Sequence, residues 1–151
     1  MLKLRIPPPI YMLTFLGLMW LTHQHFPLSF WLDTPWTTSG LFIMALALLP
    51  ALAAFRLFSR FHTSADPRHP EKAQQLVTAG VFSYSRNPMY LSLLLFLSGW
   101  AIHLGSLTPL VFPPLFFWLI TTQQIKPEEQ ILESAFGQRY TRYVQETRRW
   151  I

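Results

Sequence analysis

The sequence predicts an all-α integral membrane protein with four transmembrane helices, both termini in the cytoplasm and a C-terminal amphipathic helix. Three observations lead to this fold class. Hydrophobic residues make up 51% of the 151 residues and charged residues only 13%, whereas soluble domains carry about 25% charged residues. Three long stretches, residues 6–32, 34–55 and 87–125, contain no Asp, Glu, Lys or Arg. The basic residues lie on alternate sides of these stretches, as they do in helical membrane proteins.

The charge-free stretches predict the positions of the four spans. The first two stretches supply one span each, at Ile10–Phe26 and Ser39–Phe58. The third stretch, residues 87–125, is about twice as long as a helix needs to cross a hydrocarbon core about 30 Å thick. Glycine and proline near its middle predict a turn. This turn divides the stretch into spans at Pro88–Leu104 and Thr108–Gln124.

The basic residues predict the orientation of the spans. They precede span one, lie between spans two and three, and follow span four, while the two remaining loops contain none. Because basic residues accumulate on the cytoplasmic side, both termini are predicted to be cytoplasmic. In a membrane protein, the net charge of +5 indicates contact with anionic headgroups rather than nucleic acid. The twelve basic residues are Lys3, Arg5, Arg56, Arg60, Arg68, Lys72, Arg86, Lys126, Arg139, Arg142, Arg148 and Arg149.

The segment after span four has the periodicity of an amphipathic helix, predicted over about Pro127–Glu146. Such a helix lies against the cytoplasmic ends of the spans or against the headgroups. Glu128 precedes Leu132 by four residues, so its carboxylate is predicted on the apolar face, where it needs a cationic partner. The apolar face comprises Leu132, Phe136, Tyr140, Tyr143 and Val144.

Two short motifs carry polar groups suited to binding. Residues 86–90, Arg-Asn-Pro-Met-Tyr, place a favoured N-cap residue before a proline and so predict the start of span three. A helix start attracts anions such as carboxylates, and Arg86 adds further donors. The alternative is a capped helix whose arginine contacts lipid phosphates. The second motif is Pro127-Glu128-Glu129, for which the alternative is a helix start whose acids complement the dipole.

Other kinds of site have no support in the sequence. The absence of cysteine excludes thiolate metal sites and a cysteine nucleophile. The five histidines do not form a pattern of metal ligands, so no metal site is predicted. Neither G-x-G-x-x-G nor a P-loop occurs, which argues against a soluble nucleotide-binding domain.

Taken together, these motifs resemble a known family. Residues 76–90, LVTAGVFSYSRNPMY, resemble the signature of the integral-membrane methyltransferases, which include isoprenylcysteine carboxyl methyltransferases and phospholipid N-methyltransferases. The pattern continues with Glu128-Glu129, with residues 136–143 (FGQRYTRY) and with residues 149–151 (RWI). The resemblance covers about residues 50–151. It implies a methyltransferase-like region there, within a single membrane domain formed by residues 1–151.

The resemblance implies a function, a cofactor and a set of site residues. The function is methyl transfer from S-adenosylmethionine to a lipid-like or small hydrophobic acceptor among the membrane lipids, with the site facing the cytoplasm of a bacterial inner membrane. Arg86 and Glu128 are the catalytic candidates. Asn87 stands where isoprenylcysteine enzymes usually have histidine, so the acceptor stays open. The expected cofactor-binding residues are Val77, Gly80, Arg86, Asn87, Tyr90, Glu128 and Glu129.

Two other functions remain as alternatives. A distant resemblance to membrane sterol reductases suggests an NADPH-dependent membrane reductase. A non-catalytic membrane subunit, whose motifs only cap helices, is the third possibility. Cofactor binding distinguishes the three, because a bound ligand stabilises the folded protein by mass action.

Overall fold

Residues 6–61 and 75–151 are described by the computed structural model, and within these ranges the chain forms helices joined by short loops. No β-strand occurs there, and an isolated antiparallel bridge pairs Phe30 with Ser106. The all-α prediction is therefore confirmed. Four basic residues used to predict orientation, Lys3, Arg5, Arg68 and Lys72, lie outside the described ranges. The described helices are α1 (Pro8–His25), α2 (Thr38–Arg60), α3 (Pro88–Leu104), α4 (Phe112–Ile120), α5 (Lys126–Phe136) and α6 (Gln138–Glu146).

Helices α1, α2 and α3 lie over the first three predicted spans. The bounds of α3 are those predicted, because Pro88 occupies its first turn and Gly105 ends it in the left-handed region with φ +73°. A Cβ atom on Gly105 would lie 2.7 Å from the carbonyl oxygen of Leu32. Both the backbone angle and the close contact therefore require glycine at this turn.

The fourth predicted span is assembled from several pieces. A 3₁₀ turn at Thr108–Val111 precedes α4, and a π-helical segment at Thr121–Ile125 leads directly from α4 into α5. Pro127 accounts for the π segment, because proline lacks an N–H group and its ring clashes with the preceding helical turn. The helix therefore continues past Pro127. Pro127 and the two acids do lie in the first turn of α5, as the alternative interpretation predicts. Because the helical backbone runs into α5 from the π segment, however, that turn is not a free helix start.

Helix α2 has the character of a membrane span. Within the described ranges it is the one helix long and apolar enough to cross a membrane, at 23 residues, and α3 is a shorter apolar helix. Its buried residues form a single narrow stripe of Gly40, Ala47 and Ala54, while most of its leucines are exposed. Small residues on the packed side and leucines on the outside are typical of a helix surrounded by lipid.

Helices α2 and α3 approach each other through two glycines. A Cβ atom on Gly40 would lie 2.3 Å from the carbonyl oxygen of Gly99, and one on Gly99 would lie 2.7 Å from that of Gly40. The two backbones are thus in direct contact, an approach that glycines also permit between helices in membranes. On the other side of α3, a hydrophobic core joins Phe15 and Met19 of α1 to Phe116 of α4.

The C-terminal segment consists of two helices rather than the continuous one predicted. Gly137 separates α5 from α6 with φ +53° and ψ −127°, a conformation open essentially only to glycine. The predicted apolar face is nevertheless largely used. Leu132, Phe136, Tyr140 and Tyr143 pack against a core formed with Ala54, Val77 and Phe82, whereas Val144 is exposed.

Candidate functional site

The two ends of the helix bundle differ in their polar groups. We call residues 26–37 and 105–108 the loop end, because there the loop between α1 and α2 bonds to the turn after α3. The charged end comprises the starts of α3 and α5, helix α6 and residues 147–151. The first described residues also lie at the charged end, because Nε2 of Gln124 donates a 2.9 Å hydrogen bond to the carbonyl of Ile6.

Asn87 and the C-terminal residues fix the start of α3. Asn87 occupies the predicted N-cap position. Contrary to the prediction, however, its side chain makes no capping hydrogen bond to the helix. Instead, Nδ2 of Asn87 donates a 2.9 Å hydrogen bond to the carbonyl of Arg149. The backbone N–H of Arg86 donates a 3.0 Å hydrogen bond to the carbonyl of Arg148. The first turn of α3 therefore has no side-chain cap, and its free N–H groups suit an anionic ligand.

Glu129 pairs with two arginines at the charged end. Arg149 binds it with two parallel hydrogen bonds, from Nε at 2.9 Å and from an Nη atom at 2.8 Å. An Nη atom of Arg86 also lies 3.3 Å from Glu129 Oε1. Of the candidate residues named from the sequence, Arg86 and Glu129 thus come into direct contact. The carboxylate of Glu129 is thereby fully paired, and the arrangement ties α5, the start of α3 and the C-terminus together.

Glu128 has a different environment. Its Oε2 accepts a 2.9 Å hydrogen bond from the hydroxyl of Tyr90. Glu128 as a whole residue is partly exposed, but its carboxyl group is enclosed by protein. This burial raises the pKa of the Glu128 carboxyl to about 7. The prediction that Glu128 has a cationic partner is wrong within the described residues, where Arg86 and Arg149 contact Glu129 instead.

The guanidinium of Arg86 is buried and only partly paired. Its side chain is 9% exposed, and its Nε has no hydrogen-bond partner. The hydroxyl of Tyr140 lies beside it, and burial raises the pKa of Tyr140 to about 12. Burial also raises the pKa of Tyr143, whose hydroxyl donates a 2.6 Å bond to the carbonyl of Phe82. Arg86 therefore lies near two neutral hydroxyls and retains one unused donor.

The remaining predicted site residues lie on the segment that leads to α3. The side chain of Val77 is buried against Tyr140 and Tyr143. Gly80 adopts φ +61°, and a Cβ atom there would contact Leu57 at 3.0 Å. A cavity of about 550 Å³ lies next to Val77. It is lined by Leu76, Thr78, Gln138, Arg139, Arg142, Tyr143 and Glu146.

The structure adds residues that the sequence-based candidates lacked. Arg149 makes the strongest contact to Glu129, and Tyr140 and Tyr143 lie near Arg86. All three belong to the motifs that carry the family resemblance, so membership of a motif was the available signal. Within the described ranges, no group of three His, Asp or Glu side chains is placed to hold a metal ion.

Comparison with known proteins identifies the family. An uncharacterized protein of Haemophilus influenzae is 46% identical over 63 residues, which are 42% of this chain and all of that protein. Protein-S-isoprenylcysteine O-methyltransferase of Schizosaccharomyces pombe is 33% identical over 82 residues, 54% of this chain. That match spans 34% of the yeast enzyme. Residues 36–139 match phospholipid methyltransferases and include Arg86, Glu128 and Glu129. The chain therefore belongs to the phospholipid methyltransferase family.

Proposed function

We propose that this protein transfers a methyl group from S-adenosylmethionine to a lipid-like or small hydrophobic acceptor in the membrane. Membership of the family supports methyl transfer in general. One observation supports the cofactor: a buried arginine with an unused donor and an enclosed carboxyl group without a cation occupy the same end of the bundle. A ligand that carries both a carboxylate and positive charge satisfies both groups.

The charges of S-adenosylmethionine fit these residues. Its carboxylate needs donors, which Arg86 Nε and the uncapped first turn of α3 offer. Its ammonium and sulfonium groups need an acid. Glu128 is better suited than Glu129, because both oxygens of Glu129 already accept bonds from arginines. We therefore assign the ligand-facing role to Glu128 and an arginine-holding role to Glu129.

We place the adenosine portion beside Val77 and Gly80. The cavity of about 550 Å³ next to Val77 offers the space, since ligand pockets commonly measure about 300–1,000 Å³. Tyr143 lines this cavity and also lies close to Arg86, as the influence of Arg86 on its pKa shows. The two parts of the ligand would thus be held on either side of one tyrosine.

Catalysis by these residues would rest on positioning. The cofactor supplies an electrophilic methyl group, and transfer requires the acceptor nucleophile to align with it. Arg86 would orient the bound ligand, and Tyr90 would fix the carboxyl of Glu128. The rings of Tyr140 and Tyr143 would help to exclude water. Fixed dipoles and restricted orientation are the main sources of rate enhancement in such a site.

We further propose four membrane spans formed by α1, α2, α3 and the helix that contains α4, with both termini in the cytoplasm of a bacterial inner membrane. The whole chain is then one membrane domain, with the methyltransferase region over residues 50–151. Supporting this topology, the described arginines and Lys126 all fall beyond or near the ends of these helices at the charged end. Because α4 continues into α5, Glu128 emerges directly at the membrane surface.

Binding of S-adenosylmethionine by the purified protein in detergent micelles tests the proposed function. Glu128→Gln and Arg86→Ala should each weaken binding at least about tenfold, because each removes a charge-assisted contact to the ligand. Glu133→Gln and Arg148→Ala are matched controls, since both side chains are exposed. Unchanged affinity in both site variants would refute the proposed site.

Methyl transfer itself is measured with labelled S-adenosylmethionine and a total lipid extract. Label should enter the lipid fraction, and the product mass identifies the acceptor. Tight binding of NADPH without binding of S-adenosylmethionine would favour a reductase instead. If neither compound raises the thermal stability of the protein, a non-catalytic subunit becomes the better interpretation.

A further inference from the structure

Glu129 is contacted by two arginines in unequal ways. Arg149 contributes two parallel hydrogen bonds of 2.9 and 2.8 Å, which is the favoured geometry between a guanidinium and a carboxylate. Arg86 contributes one contact of 3.3 Å. Glu129 therefore interacts mainly with Arg149. Arg86 is nevertheless the more deeply buried of the two arginines, because its side chain is 9% exposed and that of Arg149 is 37% exposed.

This inequality leaves Arg86 with an unused donor. Its Nε is buried without a partner while one Nη atom reaches Glu129. The side chain of Glu129 is 16% exposed with Arg149 in place, and without the Arg149 side chain its nearest cation among the described residues would be Arg86. A buried charge without its partner is costly. Arg86 would then turn its fork toward Glu129 and lose the donor that the ligand carboxylate needs.

The position of Arg149 is well defined by its neighbours. Its carbonyl accepts the bond from Asn87, and the carbonyl of Arg148 accepts the bond from the Arg86 backbone. The Trp150 ring lies 4.8 Å from that of Phe117 on α4. These contacts fasten the C-terminal residues to the start of α3 and to α4, so the guanidinium of Arg149 is presented to Glu129 in a fixed position.

We propose that Arg149 is a positioning residue: it occupies Glu129 and thereby keeps Arg86 available to bind the carboxylate of the cofactor. This inference rests on the proposed function of the site. Arg149 belongs to the motif at residues 149–151, for which the sequence predicted no role, and it lies beyond residues 36–139, which match phospholipid methyltransferases. The role is assigned from its contacts to Glu129 alone, and Arg149 itself does not touch the ligand.

Affinity for S-adenosylmethionine in single and double variants tests the proposal. Arg149→Ala should raise the Kd about tenfold or more, as expected for one lost charge-assisted hydrogen bond. Arg149→Lys should give an intermediate loss, because lysine keeps the charge but not the bidentate geometry. Adding Glu129→Gln to Arg149→Ala should restore most of the affinity, since nothing then draws Arg86 away. Arg148→Ala removes a neighbouring, exposed charge and should leave the Kd unchanged.

A measurement without ligand separates this proposal from the proposed function. The loss of Tm caused by Arg86→Gln should be about twice as large in the Arg149→Ala background as in the wild type, because Arg86 is then the only cation on Glu129 among the described residues. Equal losses would overturn the proposal even if the wild type bound no S-adenosylmethionine. If the wild type binds S-adenosylmethionine, an unchanged Kd in Arg149→Ala, or a double variant no better than it, would overturn the proposal and leave the proposed function intact.

Discussion

The loop end and the charged end close the same helix bundle in different ways. At the loop end, the backbone N–H of Trp31 bonds to the carbonyl of Gly105 at 3.0 Å, and that of Leu107 bonds to Ser29 at 2.9 Å. The fully buried hydroxyl of Ser106 lies 2.8 Å from Nδ1 of His23. At the charged end, the closing contacts are instead made largely by side chains, from Asn87, Tyr90, Arg149 and their partners.

The difference indicates which end is built to bind a ligand. No buried side-chain donor or acceptor within residues 26–37 and 105–108 lacks a partner. The charged end contains the unpaired Nε of Arg86 and the enclosed carboxyl of Glu128. Unused polar groups cost stability unless something else satisfies them. We infer that the loop end serves the fold and that the charged end retains its unused groups for binding.

Removal of one hydroxyl from each end gives the largest expected contrast. Tyr90→Phe removes the donor to Glu128 and should reduce methyl transfer about a hundredfold, because a hydrogen bond to a charged group is worth about 1.5–3 kcal/mol. Ser106→Ala removes the partner of His23 and should lower stability by about 1 kcal/mol with unchanged transfer. Initial rates with labelled cofactor and thermal unfolding in micelles measure the two effects. Similar rates in both variants would break the distinction between the ends.

The close contact of α2 with α3 near the loop end predicts a pure stability effect. Gly40→Ala places a Cβ atom 2.3 Å from a backbone oxygen, so the helices must separate, at a cost of up to about 3 kcal/mol. The Kd for S-adenosylmethionine should stay unchanged. Gly17→Ala is the matched control on α1, because nothing lies within 4 Å of its added methyl group. That variant should be neutral or slightly stabilising. An equal loss in both variants would contradict the packing argument.

Glu128 should make the stability of the charged end depend on pH. Its pKa is raised from 4.5 to about 7 on folding, so the folded protein binds more protons than the unfolded chain between these values. Stability should therefore fall as the pH rises, by about 2 kcal/mol between pH 5 and pH 7. Denaturant titration at a series of pH values measures the change.

Two variants sharpen this test. Glu128→Gln should flatten the pH dependence, because glutamine does not titrate. Gly40→Ala, near the loop end, acts through a backbone contact rather than a titrating side chain, so it should lower stability equally at every pH and leave the slope unchanged. A slope that persists in Glu128→Gln would assign the titration to another group.

The sequence predicted those features that depend on local residue chemistry. The bounds of α3 follow from Pro88 and Gly105, and the charge-free stretches located α1 and α2. The spacing from Glu128 to Leu132 predicted that Glu128 lies on the inner face, and its carboxyl group is enclosed. In each case, neighbouring residues along one helix contain the necessary information.

Features that depend on the register between distant segments were not predictable in the same way. Pairing of Arg149 with Glu129 requires the C-terminal residues to return to the start of α3, and no periodicity encodes that return. The π segment at Thr121–Ile125 shifts the helical register before the two acids, so which acid meets the arginines cannot be derived from a regular helix. Gly137 likewise divides the C-terminal segment into two helices, although the spacing of its apolar residues predicted one continuous helix.

The smallest expected effect concerns Tyr143, a buried tyrosine of the charged end. Tyr143→Phe removes the 2.6 Å hydrogen bond to the carbonyl of Phe82 and leaves a buried acceptor unpaired, which should cost about 1 kcal/mol of stability. Tyr84→Phe is the matched control, because Tyr84 is 79% exposed and its hydroxyl stays hydrated in either state. Thermal unfolding of both variants measures the difference. Because Tyr143 lines the cavity and lies near Arg86, Tyr143→Phe should weaken cofactor binding by a few-fold, whereas Ser106→Ala, which removes a buried hydroxyl from the loop end, should not. Equal affinities in these two variants would show that a hydroxyl lost from the charged end matters no more than one lost from the loop end.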